Sequence, residues 1–142
     1  MTEPALSLAE IQAFCDRCPF NAWLGIRVTA AAADGVELEV PWRDEILGSP
    51  TLLTVHGGVL AAVVDAAAGL SLLAILGRPG PAIDLRVDFH RPVRSGPLRA
   101  RGKVLRAGKS ITSVEAFVDD ESGRLVASGR CVYFVAETAP PR

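Results

Sequence analysis

From Val59 to Leu76 the chain runs through eighteen residues with a single charged side chain, Asp65, near their middle. A stretch this long and apolar admits two fates: a helix buried on all sides in its own domain, or a membrane span. Spanning helices need about 20 apolar residues, and a central carboxylate costs roughly 2.5–3.5 kcal/mol on insertion scales. The run is Ala-rich, and amphipathic strands follow it directly, so it reads as a buried helix over about residues 57–76 in a protein with no membrane association. An acid in such surroundings needs a partner or a chemical task. His56-Gly57-Gly58 heads the same run. Two glycines opening a helix let a ligand approach free backbone N–H groups at the positive end of the helix dipole, which is the architecture of an oxyanion hole.

The rest of the chain supplies what such a helix must be buried against. Its 142 residues, 49% hydrophobic and 22% charged, suit one domain with a core of its own, spanning 1–142. Ser7-Leu8-Ala9-Glu10 is a capping box, and Leu8, Ile11, Phe14, Cys15 and Cys18 follow helical spacing, which predicts an N-terminal helix over about 7–18 that Pro19 stops. Ile26, Val28 and Ala30, then Val36, Leu38 and Val40, alternate with polar residues around an expected turn at Asp34-Gly35. After the long helix, Ile83, Leu85, Val87 and Phe89 alternate with Asp84, Arg86, Asp88 and His90. Three more alternating runs follow, over about 98–104, 111–118 and 125–135, and the tail from Glu137 onward is expected to fray. The sum is α+β: one buried helix and a sheet of consecutive antiparallel strands that curls around it, with a core over about 24–135.

Several function classes fall away. A net charge near −1 argues against a dedicated nucleic-acid binder. Met1 to Ser7 lack the basic head and apolar stretch of a signal peptide, so a cytoplasmic location is expected. Cys15 and Cys18 form a C-x-x-C at the end of a helix rather than at its start, where a redox pair would sit, and zinc would have to recruit from Cys131, His56 and His90. Packing on one helical face is the simpler reading, and no metal or other cofactor is expected.

With these residues in place, the chain resembles the hotdog-fold acyl-CoA thioesterases, and within them the phenylacetate-pathway (PaaI-type) branch. His56-Gly57-Gly58 followed by Asp65 carries the resemblance, together with Asp84-Leu85-Arg86-Val87-Asp88-Phe89-His90-Arg91-Pro92-Val93, the turn Ala107-Gly108-Lys109 and the stretch Asp120 to Ala127. The likeness implies a long central helix wrapped by a curved antiparallel sheet, hydrolysis of an acyl-CoA to free acid and CoA, and two sites at a homodimer interface, with a dimer of dimers as a further possibility. Coenzyme A enters only as part of the substrate. Two positions depart from the branch. An Asn usual six residues before the His is Pro50, and a Ser or Thr usual just before the strand's Asp is missing, where Ala82 precedes Ile83-Asp84. Either Thr51 or Thr54 could complete the oxyanion hole in place of the Asn. A dehydratase of the same fold would carry a His-Phe-Pro-Gly-like segment, which is absent.

The helix itself adds a constraint. Nine residues separate His56 from Asp65, and at about 100° per residue they project from opposite sides. If both serve one site, Asp65 must meet the His-Gly-Gly end of another copy. In that site the Gly57 N–H, joined by Gly58, stabilises the oxyanion. Asp65 acts as general base on water or as a nucleophile, and His56 orients the loop or the carbonyl. The structural alternatives are an Asp65–Arg ion pair at a subunit contact and a His56 that bonds nearby backbone at the helix entry. Eight of the 15 Lys and Arg fall between Arg86 and Lys109, which points to the phosphates of coenzyme A, with Arg106 and Lys109 as the candidates and Thr54 and Gly58 near the thioester. A hotdog module that binds acyl-CoA without turnover remains the second reading.

Overall fold

The computed structural model describes residues 3–137, so the tail from Thr138 onward lies outside the described residues. The elements run α1 (Leu8–Arg17), α2 (Pro19–Leu24), β1 (Arg27–Ala32), β2 (Gly35–Val40), a 3₁₀ turn (Asp44–Ile46), α3 (Gly57–Leu76), β3 (Ala82–Phe89), β4 (Leu98–Ala107), β5 (Ile111–Asp119) and β6 (Leu125–Phe134). The strands form one antiparallel sheet in the order β1-β2-β4-β5-β6-β3. α3 lies along its inner face and touches every strand. This is the hotdog arrangement.

The long helix forms where the apolar run predicts it. It starts at the His56 cap and ends where Gly77 takes a left-handed φ of 68° and returns its N–H to Leu73 O at 2.9 Å. Val63, Val64, Ala67, Ala68 and Leu72 are sealed against the sheet. Two sheet glycines let the helix come this close. A Cβ on Gly102 would lie 2.2 Å from Ser71 Oγ, and one on Gly129 would lie 2.8 Å from Val64 Cγ1. Ser71, the buried hydroxyl on the helix, accepts from the Val36 N–H (3.1 Å) and donates to Ala67 O (2.7 Å), which pins β2 to α3 without an unsatisfied group. By length and composition the helix could cross a membrane, yet its apolar side chains form the centre of the core.

Two expectations are corrected and one is extended. Pro19 ends α1, but it also opens the short helix α2 from its first position, where its missing N–H has no helical partner to lose. The hairpin turn sits at Ala33-Asp34, with Ala32 opposite Gly35. Gly35 serves close approach instead, since a Cβ there would lie 1.9 Å from Gly102 O. Finally, α3 is not buried on all sides. Gly58 and Asp65 are exposed, and Ala62 and Gly69 between and beyond them are half-buried. These four positions fall on one face of the helix, where small side chains leave the surface flat and uncovered.

The open helix face adjoins an open sheet edge. β3 pairs with β6 on one side and, among the described residues, with nothing on the other. Its clean alternation predicts a half-buried strand, yet Ile83 (58%), Leu85 (40%) and Phe89 (57%) are exposed, because β3 is the edge strand and meets α3 less than β2, β4, β5 or β6 does. An unpaired edge carrying apolar side chains is a template for another strand.

Candidate functional site

The head of α3 is set by a cap made from a histidine. His56 has extended backbone angles (φ −60°, ψ 132°), and its Nδ1 accepts from the Gly58 N–H at 2.8 Å. Nδ1 therefore carries no proton in this arrangement, and the ring proton sits on Nε2. Glycines surround the ring for steric reasons. A Cβ on Gly58 would lie 2.9 Å from His56 Nδ1, and one on Gly48 would lie 2.8 Å from His56 Cα. The segment leading in is held by backbone bonds: Val55 N–H to Val93 O, His56 N–H to Ile46 O and Gly48 N–H to Thr54 O, each 2.8 Å.

This geometry separates two donors that the sequence groups together. The Gly58 N–H, expected to face the ligand alongside Gly57, is engaged by His56. No acceptor among the described residues takes the Gly57 N–H. Gly57 lines a cavity of about 310 Å³ together with Thr54, Leu60, Phe89, His90 and Arg91. The Phe89 ring stands over Gly57, with Cζ 3.4 Å from where a Cβ would be.

Asp65 occupies a second cavity, about 200 Å³ in volume, between α3, the N-terminal helices and the start of β3. Two inward-facing residues of β6 support it. Cys131 Sγ lies 3.9 Å from Asp65 Oδ1, and the Tyr133 hydroxyl donates to the Asp65 carbonyl oxygen at 3.5 Å. Although Asp65 has an open side, the crowding of its carboxyl pushes its pKa above the usual carboxylate range, against a smaller lowering by the Cys131 thiol. Burial likewise pushes the Cys131 thiol and the Tyr133 hydroxyl upward, so both remain protonated donors. Among the described residues no cation pairs with Asp65. The ion-pair alternative thus has no support within one chain.

The two cavities do not meet in one chain. Nine residues of α-helix place Asp65 roughly 13 Å along the axis from His56 and on the other side. The strand register says where each cavity lies. Ala82, Tyr133, Thr112 and Ala107 form one row across the sheet, and Phe89, Ala127, Val118 and Ala100 form a row near its other end. The Asp65 cavity reaches Ala82, and the Gly57 cavity reaches Phe89. Arg106 and Lys109 lie beside the Ala107 end, both exposed, and line neither cavity. A further hollow, about 360 Å³, is on the outer face of the sheet by Glu39 and Arg99. There Arg27 and Arg99 share Glu39, and Arg101 pairs with Asp119. Glu37 lines the hollow as well, and Asp65 does not.

Among the described residues no three His, Cys, Asp or Glu side chains converge as a metal site would require. Cys15 is buried and its thiol is pushed up to about 11 by burial, with no disulfide to Cys18. Sequence reasoning passed over Phe14 and Asn21, which wall the Asp65 cavity, and gave Tyr133 no role in the site. The alternation of the last strand turns Cys131 and Tyr133 toward the helix, but nothing in it says which helical turn they meet.

The sequence pattern of the thioesterase superfamily matches residues 53–127, more than half of the chain. The chain belongs to the thioesterase superfamily. It is 30% identical to the medium/long-chain acyl-CoA thioesterase YigI of Escherichia coli, over 94% of this chain and 95% of that protein. A solved structure described as a protein from the thioesterase superfamily is 42% identical, with a TM-score of 0.87 over 90% of this chain and 97% of the other. A second, from Shewanella oneidensis and described as related to the same superfamily, is 28% identical, with a TM-score of 0.81 over 95% of this chain and all of the other. The matched region runs from Leu53, just before the histidine cap, to Ala127 on β6 and takes in Gly57, Asp65 and Phe89.

Proposed function

We propose that this protein is a cytoplasmic acyl-CoA thioesterase of the PaaI type, working as a homodimer in which Asp65 of one protomer acts with the Gly57 N–H of the other. One observation carries the reading: Gly57, whose N–H has no acceptor among the described residues, and Asp65, a carboxyl of raised pKa, line two half-open cavities and lie about 12 Å apart along one helix. The open edge of β3 and the small-residue face of α3 are the surfaces a second copy would cover. If two β3 strands pair antiparallel about their middles, the Ala82 end of one meets the Phe89 end of the other, and each Asp65 cavity abuts a partner's Gly57 cavity.

In the joined site, the Asp65 carboxylate takes a proton from water while the water oxygen bonds to the thioester carbon. The carbonyl oxygen becomes an oxyanion beside the Gly57 N–H, which is preorganised because the His56 cap fixes the first turn. Collapse of the tetrahedral intermediate breaks the C–S bond, and the proton held by Asp65 goes to the departing thiolate. Direct attack by Asp65, through an anhydride that water then opens, uses the same geometry. A raised pKa makes Asp65 a stronger base in either route. Arg91, which lines the Gly57 cavity, suits the anionic part of coenzyme A; Arg106 and Lys109, expected in that role, lie beside the Ala107 end of the sheet and line neither cavity.

The name of the Escherichia coli relative supports the acyl-CoA class. Pro50, where the branch usually has an amide donor, favours a second reading in which the module binds acyl-CoA without useful turnover. Incubation with a panel of acyl-CoAs, with free thiol detected, separates the two. Asp65→Asn should lower the rate about 10²–10⁴-fold while sedimentation shows the same dimer. An unchanged rate in that variant refutes the catalytic assignment, and binding without any parental hydrolysis establishes the second reading.

A further inference from the structure

Cys131 and Tyr133 are buried titratable groups to which the hydrolytic scheme gives no task, and both meet Asp65. Alternation along β6 turns them to the inner face, where they are 0% and 3% exposed. The Cys131 thiol lies 3.9 Å from Asp65 Oδ1, within reach of a weak S–H donor, and the Tyr133 hydroxyl donates to the Asp65 carbonyl oxygen at 3.5 Å. Both contacts come from the core side of α3 and are complete within one chain, so they do not depend on what covers the open face of the helix. Among the described residues Asp65 Oδ2 meets no donor.

We infer that, granted the thioesterase reading above, Cys131 and Tyr133 are positioning residues for Asp65: the thiol holds one carboxyl oxygen, the hydroxyl holds the backbone beneath it, and Oδ2 is left to meet the water or the thioester carbon. Neutral donors suit this task. A cation would hold the carboxylate as firmly but would strip its basicity, whereas a thiol is a weak donor and offsets only part of the effect of burial. Both side chains keep their protons, since burial raises each of them. The surroundings add no competing charge. Asp65 is the one charged residue of α3, and among the described residues no charged side chain of β2, β4 or β5 is buried. From β3, Asp84 acts on Cys131. From α1 and α2, Phe14 and Asn21 line the Asp65 cavity, and the Cys15 thiol is bonded to Asn21.

The test is spectroscopic and kinetic, on the oligomer as isolated. Infrared difference spectra, parent minus Cys131→Ala, isolate the S–H stretch of Cys131. That band should lie at lower frequency while Asp65 is ionised, and rise as pH falls or in Asp65→Asn, because a charged acceptor makes the stronger bond. On the best acyl-CoA, Cys131→Ala should lower kcat about tenfold with KM within about twofold. It should also carry the acid limb of kcat/KM to higher pH, since the thiol contact is what lowers the Asp65 pKa. Tyr133→Phe should lower kcat by a smaller factor, about threefold, without moving that limb. If Cys131→Ala fails to fold, the parent and Asp65→Asn spectra decide, because neither Cys15 nor Cys18 bonds to Asp65. A band indifferent to pH and to Asp65→Asn, or Cys131→Ala within about twofold of the parent at every pH, overturns the assignment and leaves the thioesterase reading intact. If no acyl-CoA is hydrolysed while the band follows Asp65, the hold on the carboxyl stands and the enzymatic reading falls.

Discussion

Replacing Gly57 by proline removes one hydrogen-bond donor and almost nothing else. Gly57 is the first residue of α3, the helical position where proline is best tolerated, because the N–H there has no intrahelical partner. The preceding residue must be extended, and His56 already is, at φ −60° and ψ 132°. The new ring meets Phe89, whose Cζ would stand 3.4 Å from the Cβ, a contact the exposed aromatic can relax. Stability should therefore change by less than about 1 kcal/mol. Activity should not survive as well: loss of a single oxyanion donor costs about 10²–10³ in kcat. Gly57→Ala is the control, since it adds the same Cβ and keeps the N–H. Steady-state release of thiol from the best acyl-CoA, with thermal melting and sedimentation on each variant, gives the comparison. If Gly57→Pro is folded, dimeric and within about threefold of Gly57→Ala, the Gly57 N–H is not the oxyanion donor.

Three further outcomes are expected. Asp65→Asn should raise the melting temperature at neutral pH. The folded-state pKa of Asp65 is raised by crowding, so its carboxylate opposes folding above that pKa, and the penalty disappears as pH falls through it; the difference between the two proteins should therefore shrink toward acid pH. A melting temperature that falls at pH 7 would point to a cation bound at Asp65. Ser71→Ala should cost about 1–3 kcal/mol in urea unfolding, because the Val36 N–H is left buried without its acceptor; a loss below about 0.5 kcal/mol would mean that the bond does not pin β2 to α3. Leu85→Glu places a charge on the exposed apolar face of the edge strand β3 and should shift sedimentation from dimer to monomer with loss of turnover, whereas an unaltered dimer would mean that the interface lies elsewhere.

What the sequence made legible was whatever a local period or a local steric demand encodes. The 20-residue helix, its glycine stop, the capping box at Ser7 and the four later strands follow from spacing and turn residues, and the structure has them. The opposition of Asp65 and His56 follows from helix geometry alone. Partners distant in the chain were not legible. Gly35 looked like a turn residue because Asp-Gly is a turn signal, but its lack of a side chain is demanded by Gly102 O, sixty-seven residues away. The open face of α3 was missed because alanine and glycine count as apolar whether they are packed or bare. The supports of Asp65, from Cys131 to Phe14, are brought together only by the fold.

The division of labour within the first turn of α3 explains why Gly58 carries no side chain and why the histidine stands where it does. A helix N-terminus offers several free N–H groups, and an oxyanion could bind any of them loosely. Here His56 takes the Gly58 donor, which fixes the turn and leaves the Gly57 N–H open beside Phe89. A donor held in one place costs no reorganisation when charge develops, so a single rigid N–H serves better than two mobile ones. On the proposed reading, the cap would hold the Gly57 donor without help from position 50, where Pro50 offers no side-chain amide. His56→Ala should then act through position, since the Gly57 N–H itself survives. Rates should fall about tenfold with little change in KM, and the helix should lose about 1 kcal/mol of stability. His56→Asn, whose side chain can also cap, should recover most of both. Failure of His56→Asn to restore the rate while it restores stability would mean that the imidazole touches substrate, and that His56 belongs to the chemistry rather than to the frame that holds it.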